Sequence, residues 1–151
     1  MNDKAIERCV LFEGLTSDEL SLLCGEGKRY LAPENHVFFD MGTVNNSMYV
    51  ILSGSVRVEI PGAEADVELA VLESSAMFGE MCLLDRSRTT ARVSTAEPTE
   101  VLEFNHGDFN RILGDHPELA SKLWKNSALE FRRRMASADE LVEHYADLSE
   151  M

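Results

Sequence analysis

The sequence has few cysteines, and their arrangement excludes several kinds of small scaffold. Cys9, Cys24 and Cys82 are odd in number and lie far apart in the 151-residue chain. A disulfide framework or a zinc site requires cysteines in pairs or at close, regular spacing. The three residues are therefore predicted to be free thiols, which is typical of a reducing, cytoplasmic environment.

Long apolar runs are also missing. The first eight residues contain no apolar core of the signal-peptide type. No apolar run reaches the roughly 20 residues that a membrane span requires. We therefore expect a cytoplasmic protein with no membrane partner.

Positive charge is scarce in this chain. It has 14 basic and 27 acidic residues, which gives a formal net charge of −13. Phosphate backbones are bound by basic surfaces, so DNA and anionic membranes are not expected as direct partners. A small anionic ligand is still compatible with this composition, because a local site can be basic on an acidic protein.

The histidines are scattered rather than clustered. They are His36, His106, His116 and His144, and only the first lies in a predicted β segment. A metal enzyme on a β-rich fold needs histidines close together across paired strands. We therefore expect neither a metal cofactor nor a catalytic site.

The length of the chain fits one domain, residues 1–151, that can bury a core. Hydrophobic residues make up 44% and charged residues 27%, which are ordinary values for a globular protein. The hydrophobic pattern divides this domain into N-terminal helices at 1–27, a β-rich region at 28–105 and C-terminal helices at 107–150.

The N-terminal region predicts two helical pieces over residues 4–24. Thr16 and Glu19 have the spacing of a capping box, in which each side chain accepts a hydrogen bond from the other residue's backbone. The second helix is therefore predicted to begin directly after Thr16.

The middle of the chain predicts short strands. β-branched segments separated by turn residues occur at 29–31, 36–40, 47–52, 55–60, 67–73, 89–94 and 100–104. Alternation in the fourth segment predicts that Val56, Val58 and Ile60 face the core. Short strands at this spacing, with no helices between them, favour a mainly β antiparallel sandwich or barrel with flanking helices.

The C-terminal region predicts a short helix at 107–113 and a long one over 117–150. The apolar stripe of the long helix consists of Leu119, Leu123, Phe131, Met135, Val142 and Tyr145. Trp124 and Leu129 lie off this stripe, so the helix is apolar on more than one side. We prefer the interpretation that one side packs on the β-region and another forms a homodimer. The alternative is a single helix wrapped on its own domain.

Residues 78–93 hold a set of groups suited to binding a phosphate and its sugar. Gly79 lets the backbone approach a ligand closely, and residues 79–82 can present N–H groups at a helix N-terminus to an anion. The Glu80 carboxylate is suited to accept a hydrogen bond from a ribose hydroxyl. Each residue alone is also compatible with an ordinary turn or a solvated cap.

The second half of the same stretch supplies the cation. The guanidinium of Arg88 has paired donors that match phosphate oxygens. Thr89 and Thr90 add hydroxyl and backbone donors. A surface charge at Arg88 is the plainer interpretation of that residue alone, but the order of residues favours a phosphate site.

Three segments of the chain resemble a known family. They are Leu11–Leu15 with Glu19 and Leu20, then Val37–Val58, and then Phe78–Asp85, which is the most specific. The chain resembles the cyclic nucleotide-binding domains of catabolite activator protein and of the cAMP-dependent protein kinase regulatory subunits. From about residue 6 to 136, this resemblance implies an eight-stranded double-stranded β-helix, or jelly-roll, with a long C-terminal helix.

The resemblance also implies which residues bind the ligand. The segment beginning at Phe78 resembles the family's phosphate-binding cassette, and the implied ligand-binding residues are Phe78, Gly79, Glu80, Met81, Cys82, Arg88, Thr89 and Thr90. The C-terminal helix is implied to cover the ligand, with Phe131, Arg134 and Met135 nearest the base.

One position departs from the family pattern. An ungapped match puts Ala91 and Val93 in register and puts Thr89 where the family has its phosphate-binding arginine. Arg88 lies one residue earlier, and a one-residue shift in a strand turns a side chain to the other face. Arg88 reaches the phosphate if the loop at 85–87 is tighter by one residue, with a bulge near Thr90. Otherwise the site lacks its main cation.

The sequence therefore predicts a regulatory module that is not an enzyme. It would bind cAMP or cGMP, use no metal, and act in signal transduction through its C-terminal helix. The alternative is a degenerate domain of the same fold that acts by protein–protein interaction or dimerisation. Direct DNA binding is not expected, because the chain is acidic and leaves no room for a helix-turn-helix after the long helix.

Overall fold

The computed structural model describes residues 4–80 and 87–149, with side chains described as far as residue 136. The helices within these ranges are α1 (Lys4–Glu7), a short 3-10 helix (Val10–Phe12), α2 (Ser17–Glu26), α3 (His106–Asp115) and α4 (Pro117–Ser149). The strands are β1 (Lys28–Ala32), β2 (Val37–Phe39), β3 (Ser47–Ser53), β4 (Ser55–Ile60), β5 (Val67–Glu73), β6 (Met77–Phe78), β7 (Arg92–Thr95) and β8 (Thr99–Asn105).

The strands form two antiparallel four-stranded sheets. One sheet has the order β1-β8-β3-β6 and the other has the order β2-β7-β4-β5. Each sheet joins strands that are distant in sequence, so the chain passes repeatedly from one sheet to the other. This arrangement is a jelly-roll with flanking helices and a long C-terminal helix. The predicted fold class is confirmed.

The start of α2 has the predicted capping box. The Thr16 hydroxyl accepts a hydrogen bond from the Glu19 amide at 3.2 Å, and the Glu19 carboxylate accepts one from the Thr16 amide at 2.9 Å. Both bonds satisfy donors that a helix N-terminus otherwise leaves unpaired. Lys122 on α4 also binds Glu19 at 2.6 Å, so the cap of α2 lies against α4.

One predicted feature of β4 is wrong. Val56 is buried and Val58 half-buried, but Ile60 is 38% exposed. Ile60 is the last residue of β4 and pairs with the exposed Val67 of β5. Between Val58 and Glu59 the pairing with β5 shifts by one residue, and the extra residue of this bulge is Leu69 of β5. Glu59 itself is buried and pairs in the sheet with Arg92 of β7, which binds its carboxylate at 2.9 Å.

The larger hydrophobic cluster, which we call the helix-side core, joins the helices to one sheet. Phe104 of β8 lies at its centre, with edge-on ring contacts to Phe12 at 6.1 Å and to Phe109 at 5.6 Å. Its buried members are Ala5, Ile6, Cys9, Leu11, Phe12, Leu23, Met48, Val50, Leu52, Met77, Leu102, Phe104, Phe109, Ile112, Leu113, Leu119 and Leu123.

A smaller cluster, which we call the cavity-side core, lies between the two sheets. Its buried members are Tyr49, Ile51, Val56, Phe78, Val93 and Val101, which come from strands of both sheets. Tyr49 and Phe78 stack with their ring centroids 4.8 Å apart. This pair fixes the end of β6, and therefore the start of the segment that follows it.

Helix α4 is held firmly over its first turns. Leu119 and Leu123 are buried, and the Asn126 side-chain amide donates to the carbonyls of Leu11 and Glu13 at 2.8 Å each. Farther along the helix, Met135 of the predicted stripe is 63% exposed, and Leu129, which lies off the stripe, is 38% exposed. The stripe is therefore buried at Leu119 and Leu123 and exposed at Met135, while the side chains of Val142 and Tyr145 lie outside the described residues.

The edge strand β5 has an exposed apolar row. Val67, Leu69 and Val71 are each about half exposed.

Within the part of the chain that the structure describes, no helix has the length and low charge of a membrane span.

Candidate functional site

A cavity of about 440 Å³ opens beside the cavity-side core. Residues from both sheets, from two connecting segments and from α4 line it. They are Phe39, Asn45, Val58, Leu72, Met77, Phe78, Gly79, Glu80, Ser87, Arg88, Thr89, Thr90, Ala91, Val93 and Arg134. Apolar side chains form its floor, and the polar groups are concentrated at two places on its wall.

The first polar place is the turn at Gly79 and Glu80, directly after β6. Gly79 has a φ of +78°, in the left-handed region that favours glycine. A Cβ atom there would lie 2.6 Å from the Ser47 carbonyl oxygen and 2.8 Å from the Asn45 side-chain nitrogen. Both the positive φ and the lack of space for a Cβ atom therefore require glycine at this position, where the backbone lies close to Ser47 and Asn45.

Glu80 pairs with Arg134, which reaches the cavity from α4. The two side chains are joined at 2.5 Å, and the Glu80 side chain is only 15% exposed. Glu130, one turn earlier on α4, lies 3.4 Å from the same guanidinium. Burial acts to lower the pKa of Arg134, but the charge and hydrogen bond of Glu80, with a contribution from Glu130, outweigh it and raise that pKa. This pair is the polar link between α4 and the cavity wall.

The second polar place is the segment 87–90. Thr89 is bound into the loop between β2 and β3, because its hydroxyl donates to the Asp40 carbonyl at 2.5 Å and accepts from the Thr43 amide at 3.1 Å. Backbone hydrogen bonds of 2.8 Å join Thr89 to Gly42 and to Thr43. The Thr89 side chain is therefore used to hold this wall in place.

Arg88 places a positive charge at this end of the cavity. Its guanidinium donates to the Gly42 carbonyl at 2.7 Å, and the side chain is exposed. Within the described ranges no acidic side chain pairs with it. At the first polar place, Glu80 and Glu130 share the guanidinium of Arg134, so the charge that favours an anionic group is the one at Arg88.

Asn45 lines the cavity and was missed by sequence reasoning. Its side-chain nitrogen donates to the carbonyls of Ser47 at 2.7 Å and Gly79 at 3.2 Å, and its oxygen accepts from the Ser47 amide at 3.2 Å. The sequence alone predicts Asn45 only as a turn residue before a strand. Its contact with Gly79 joins positions 34 residues apart, and no local pattern reports it.

The structure brings together most of the residues predicted to bind a ligand. Phe78, Gly79, Glu80, Arg88, Thr89, Thr90 and Arg134 all line the cavity. Phe131 and Met135 do not line it; they lie instead with Trp124 along an open groove on α4. Met81 and Cys82 lie outside the described residues.

The part of the chain that the structure describes offers no metal site beside the cavity. Among the residues that the structure describes, no three His, Cys, Asp or Glu side chains are grouped closely enough to hold a metal ion. The chemistry of the site is therefore that of an apolar pocket with a carboxylate at one place and a guanidinium at another.

These features define a β-roll domain with a ligand cavity that a C-terminal helix reaches. Residues 29–116, more than half of the chain, match the cyclic nucleotide-binding domain family. The chain belongs to this family, as its sequence resemblance predicted.

Individual relatives agree with this assignment. The chain is 32% identical over 132 residues to the cyclic AMP receptor protein of Thermus thermophilus, a match covering 85% of this chain and 58% of that protein. The crystal structure of Thermus thermophilus catabolite activator protein has a TM-score of 0.79 and 28% identity, covering 91% of this chain and 63% of that one.

A third comparison concerns the fold alone. The N-terminal domain of a transcriptional regulator from Streptomyces coelicolor has a TM-score of 0.79 at 24% identity, covering 89% of this chain and 94% of that one. The chain spans about three fifths of the length of the curated relatives it matches first. What those whole proteins do beyond the shared domain is therefore not carried over to this chain.

Proposed function

We propose that this chain is a regulatory module that binds a cyclic nucleotide, cAMP or cGMP, in the 440 Å³ cavity and signals through α4. The observation that carries the proposal is the meeting of the Gly79–Glu80 turn and the segment 87–90 at one cavity. These are the two parts of the sequence that resemble the family's phosphate-binding cassette. The proposed module is cytoplasmic and is not an enzyme.

The sugar is assigned to the Glu80 end of the cavity. A carboxylate accepts a hydrogen bond from a hydroxyl strongly, because the acceptor is charged. The Glu80 side chain is only 15% exposed, and Arg134 holds it in place at the cavity wall. The ribose 2′-hydroxyl is the group of a cyclic nucleotide that suits this position.

The phosphate is assigned to the other end, with Arg88 in place of the usual arginine. Among the described residues Arg88 binds a neutral carbonyl, that of Gly42, which leaves its charge for an anion. Thr89 is already bound to Asp40 and Thr43, so its contribution is to shape the wall, while Thr90 contributes donors. Met81 and Cys82 complete the proposed cassette by resemblance.

Signalling is assigned to α4 because that helix meets the ligand site through a polar contact. Arg134 binds the same carboxylate that is proposed to receive the ribose. A ligand at Glu80 therefore changes the partners of Arg134 and biases the position of the second half of α4. Phe131 and Met135, which lie off the cavity here, are proposed to close over the base in that altered position.

The exposed apolar face of α4 supports a homodimer. Trp124, Leu129 and Met135 are each more than a third exposed, and a groove of about 610 Å³ runs beside two of them. A second copy of the same helix is the proposed occupant. Sedimentation equilibrium measures this, and a monomer at every concentration would contradict it.

The nucleotide proposal is tested by isothermal titration with cAMP and with cGMP. We expect binding by the unaltered chain and a loss of about 10- to 100-fold in affinity for Arg88→Ala, as removal of a charge-assisted contact implies. Arg111→Ala is the matched control, because Arg111 is exposed on α3 and pairs with Glu26 away from the cavity. The affinity of the Arg111→Ala variant for either nucleotide should be unchanged.

Two results would contradict the proposal at different points. The absence of heat with either nucleotide at millimolar concentration would exclude nucleotide binding and favour a domain acting by protein contact alone. Binding that Arg88→Ala leaves unchanged would keep the nucleotide but overturn the phosphate assignment.

A further inference from the structure

Asn45 is the polar side chain of the cavity wall that the proposed function leaves without a role. It lies in the connection between β2 and β3, half-buried, with its amide directed at the Gly79 turn. Both hydrogens of its side-chain nitrogen are used, one by the Ser47 carbonyl and one by the Gly79 carbonyl. An amide with this geometry ties the start of β3 to the Gly79 turn, just beyond the last pair of the β3–β6 ladder, Tyr49 with Phe78.

The Gly79 turn has few other fixed points. Before it, Phe78 is buried against Tyr49 and paired with it in the sheet. At the turn the backbone enters the left-handed region at +78°, and the missing Cβ leaves room for the Asn45 nitrogen. The carbonyl that Asn45 binds belongs to the peptide group joining Gly79 to Glu80. The orientation of that peptide group determines where the Glu80 side chain begins.

Asn45 is itself held by a network that extends into the sheet. Its neighbour Ser47 donates from its hydroxyl to Glu103 at 2.7 Å, and the Tyr30 hydroxyl donates to the other oxygen of Glu103 at 2.9 Å. Burial, followed by this hydrogen bond to Glu103, raises the pKa of Tyr30, so its hydroxyl stays protonated and donating. The network therefore anchors Asn45 to β1, β3 and β8.

We propose that Asn45 is a positioning residue for the sugar contact, fixing the Gly79–Glu80 peptide so that the Glu80 carboxylate meets the ribose 2′-hydroxyl. This inference rests on the proposed nucleotide function and assigns a determinant of specificity within it. Asn45 acts through the backbone and touches no part of the ligand that Glu80 receives. Its effect is therefore confined to ligands that carry the hydroxyl.

The test compares cAMP with its 2′-deoxy analogue in the unaltered chain and in two variants. The unaltered chain should bind cAMP about tenfold more tightly than the 2′-deoxy analogue, the difference expected for a hydrogen bond to a charged acceptor. Asn45→Ala should reduce this ratio to near one. Asn45→Asp keeps the size of the side chain but places an acceptor against two carbonyl oxygens, and it should reduce the ratio as well.

Asn126→Ala is the matched control. Asn126 also uses one side-chain nitrogen to bridge two backbone carbonyls, those of Leu11 and Glu13, but on the far side of the helix-side core. Asn126→Ala should lower the midpoint of thermal unfolding as Asn45→Ala does. It should leave the ratio of the affinities for cAMP and its 2′-deoxy analogue at about ten. If Asn45→Ala weakens both ligands equally and keeps the ratio, Asn45 is only structural and the proposal is overturned.

A ligand-free measurement separates this inference from the proposed function. Trp124, the single tryptophan of the chain, lines a small space together with Glu80 and Arg134. Asn45→Ala should shift its emission in the same direction as Glu80→Gln, because both remove the carboxylate from its place. If neither cAMP nor its analogue binds the unaltered chain, the nucleotide proposal fails. Unchanged emission in Asn45→Ala overturns the positioning role in either case.

Discussion

The two hydrophobic clusters of this domain differ in what they surround. The helix-side core is the larger one, each of its buried members is at most 8% exposed, and it meets the cavity at Met77. The cavity-side core is smaller and borders the space of about 440 Å³ through Phe78 and Val93. Close packing on one side supports the fold, and incomplete packing on the other leaves room for a ligand. Stability and binding are therefore assigned to different faces of the same β3 and β8 strands.

The polar contacts around both clusters include long-range ones. Beside the helix-side core, the capping box joins residues three apart, but Asn126 of α4 binds the Leu11 carbonyl, 115 residues away. Around the cavity, the contacts of Arg134 with Glu80, Arg88 with Gly42 and Asn45 with Gly79 join positions 54, 46 and 34 residues apart. The site is thus held by contacts that exist only once the whole domain has folded, and changes on either side should be separable.

The largest expected effect on stability comes from the helix-side core. Phe109→Ala removes a ring that is 1% exposed and packed edge-on against Phe104, and it should lower the free energy of unfolding by about 3–5 kcal/mol. Urea denaturation measures this. Below the transition, nucleotide affinity should be unchanged, and a parallel loss of affinity would show that the two clusters are coupled.

A smaller loss of stability with a larger loss of binding is expected at the cavity. Gly79→Ala forces a side chain into the left-handed region and against the Ser47 carbonyl, which should cost about 2–4 kcal/mol. Nucleotide affinity should fall at least tenfold, because the turn that carries Glu80 must move. Gly114→Ala is the control, since nothing lies within 4 Å of a Cβ there. Equal losses of stability and affinity in Gly79→Ala and Gly114→Ala would contradict the requirement for glycine at the turn.

The smallest expected effect is a pH dependence of folding stability caused by Cys9, which lies in the helix-side core. Burial raises the pKa of the Cys9 thiol to about 11 from an ordinary value of 9.0, against hydrogen bonds from the Leu11 and Phe12 amides. The unfolded chain loses this proton first, so stability is complete below pH 9 and falls as the pH rises toward about 11. The slope should reach about 1.4 kcal/mol per pH unit.

Urea denaturation at intervals from pH 8 to pH 11 under reducing conditions measures this slope. Cys9→Ala should remove the part of it that the thiol causes. A slope that is identical in Cys9→Ala would mean that another group carries the alkaline loss.

Most of the fold could be predicted because its signals are local. The capping box at Thr16 and most strand positions depend on neighbouring residues, and the family resemblance supplied the topology. Strand β6 has only two residues, which is too short for a periodic pattern. Ile60 is exposed because it ends β4 opposite the exposed Val67 of β5, and no property of the β4 sequence alone specifies that partner.

The site could be predicted in part for the same reason. Gly79, Glu80 and Arg88 lie within one short stretch of sequence, and the structure brings them to one cavity. The pairing of Glu80 with Arg134 and the contact of Asn45 with Gly79 depend on how distant elements dock. The direction of Phe131 and Met135 follows from the rotation of α4, which Leu119 and Leu123 set some turns earlier.

The exposed row on β5 has a consequence for handling the protein. Val67, Leu69 and Val71 lie on a strand whose outer edge pairs with none of the other described strands, an arrangement that invites pairing between molecules. At neutral pH the net charge of −13 keeps molecules apart. That repulsion disappears near the isoelectric point of about 4.6, so colloidal association should begin through this edge as the solution is acidified.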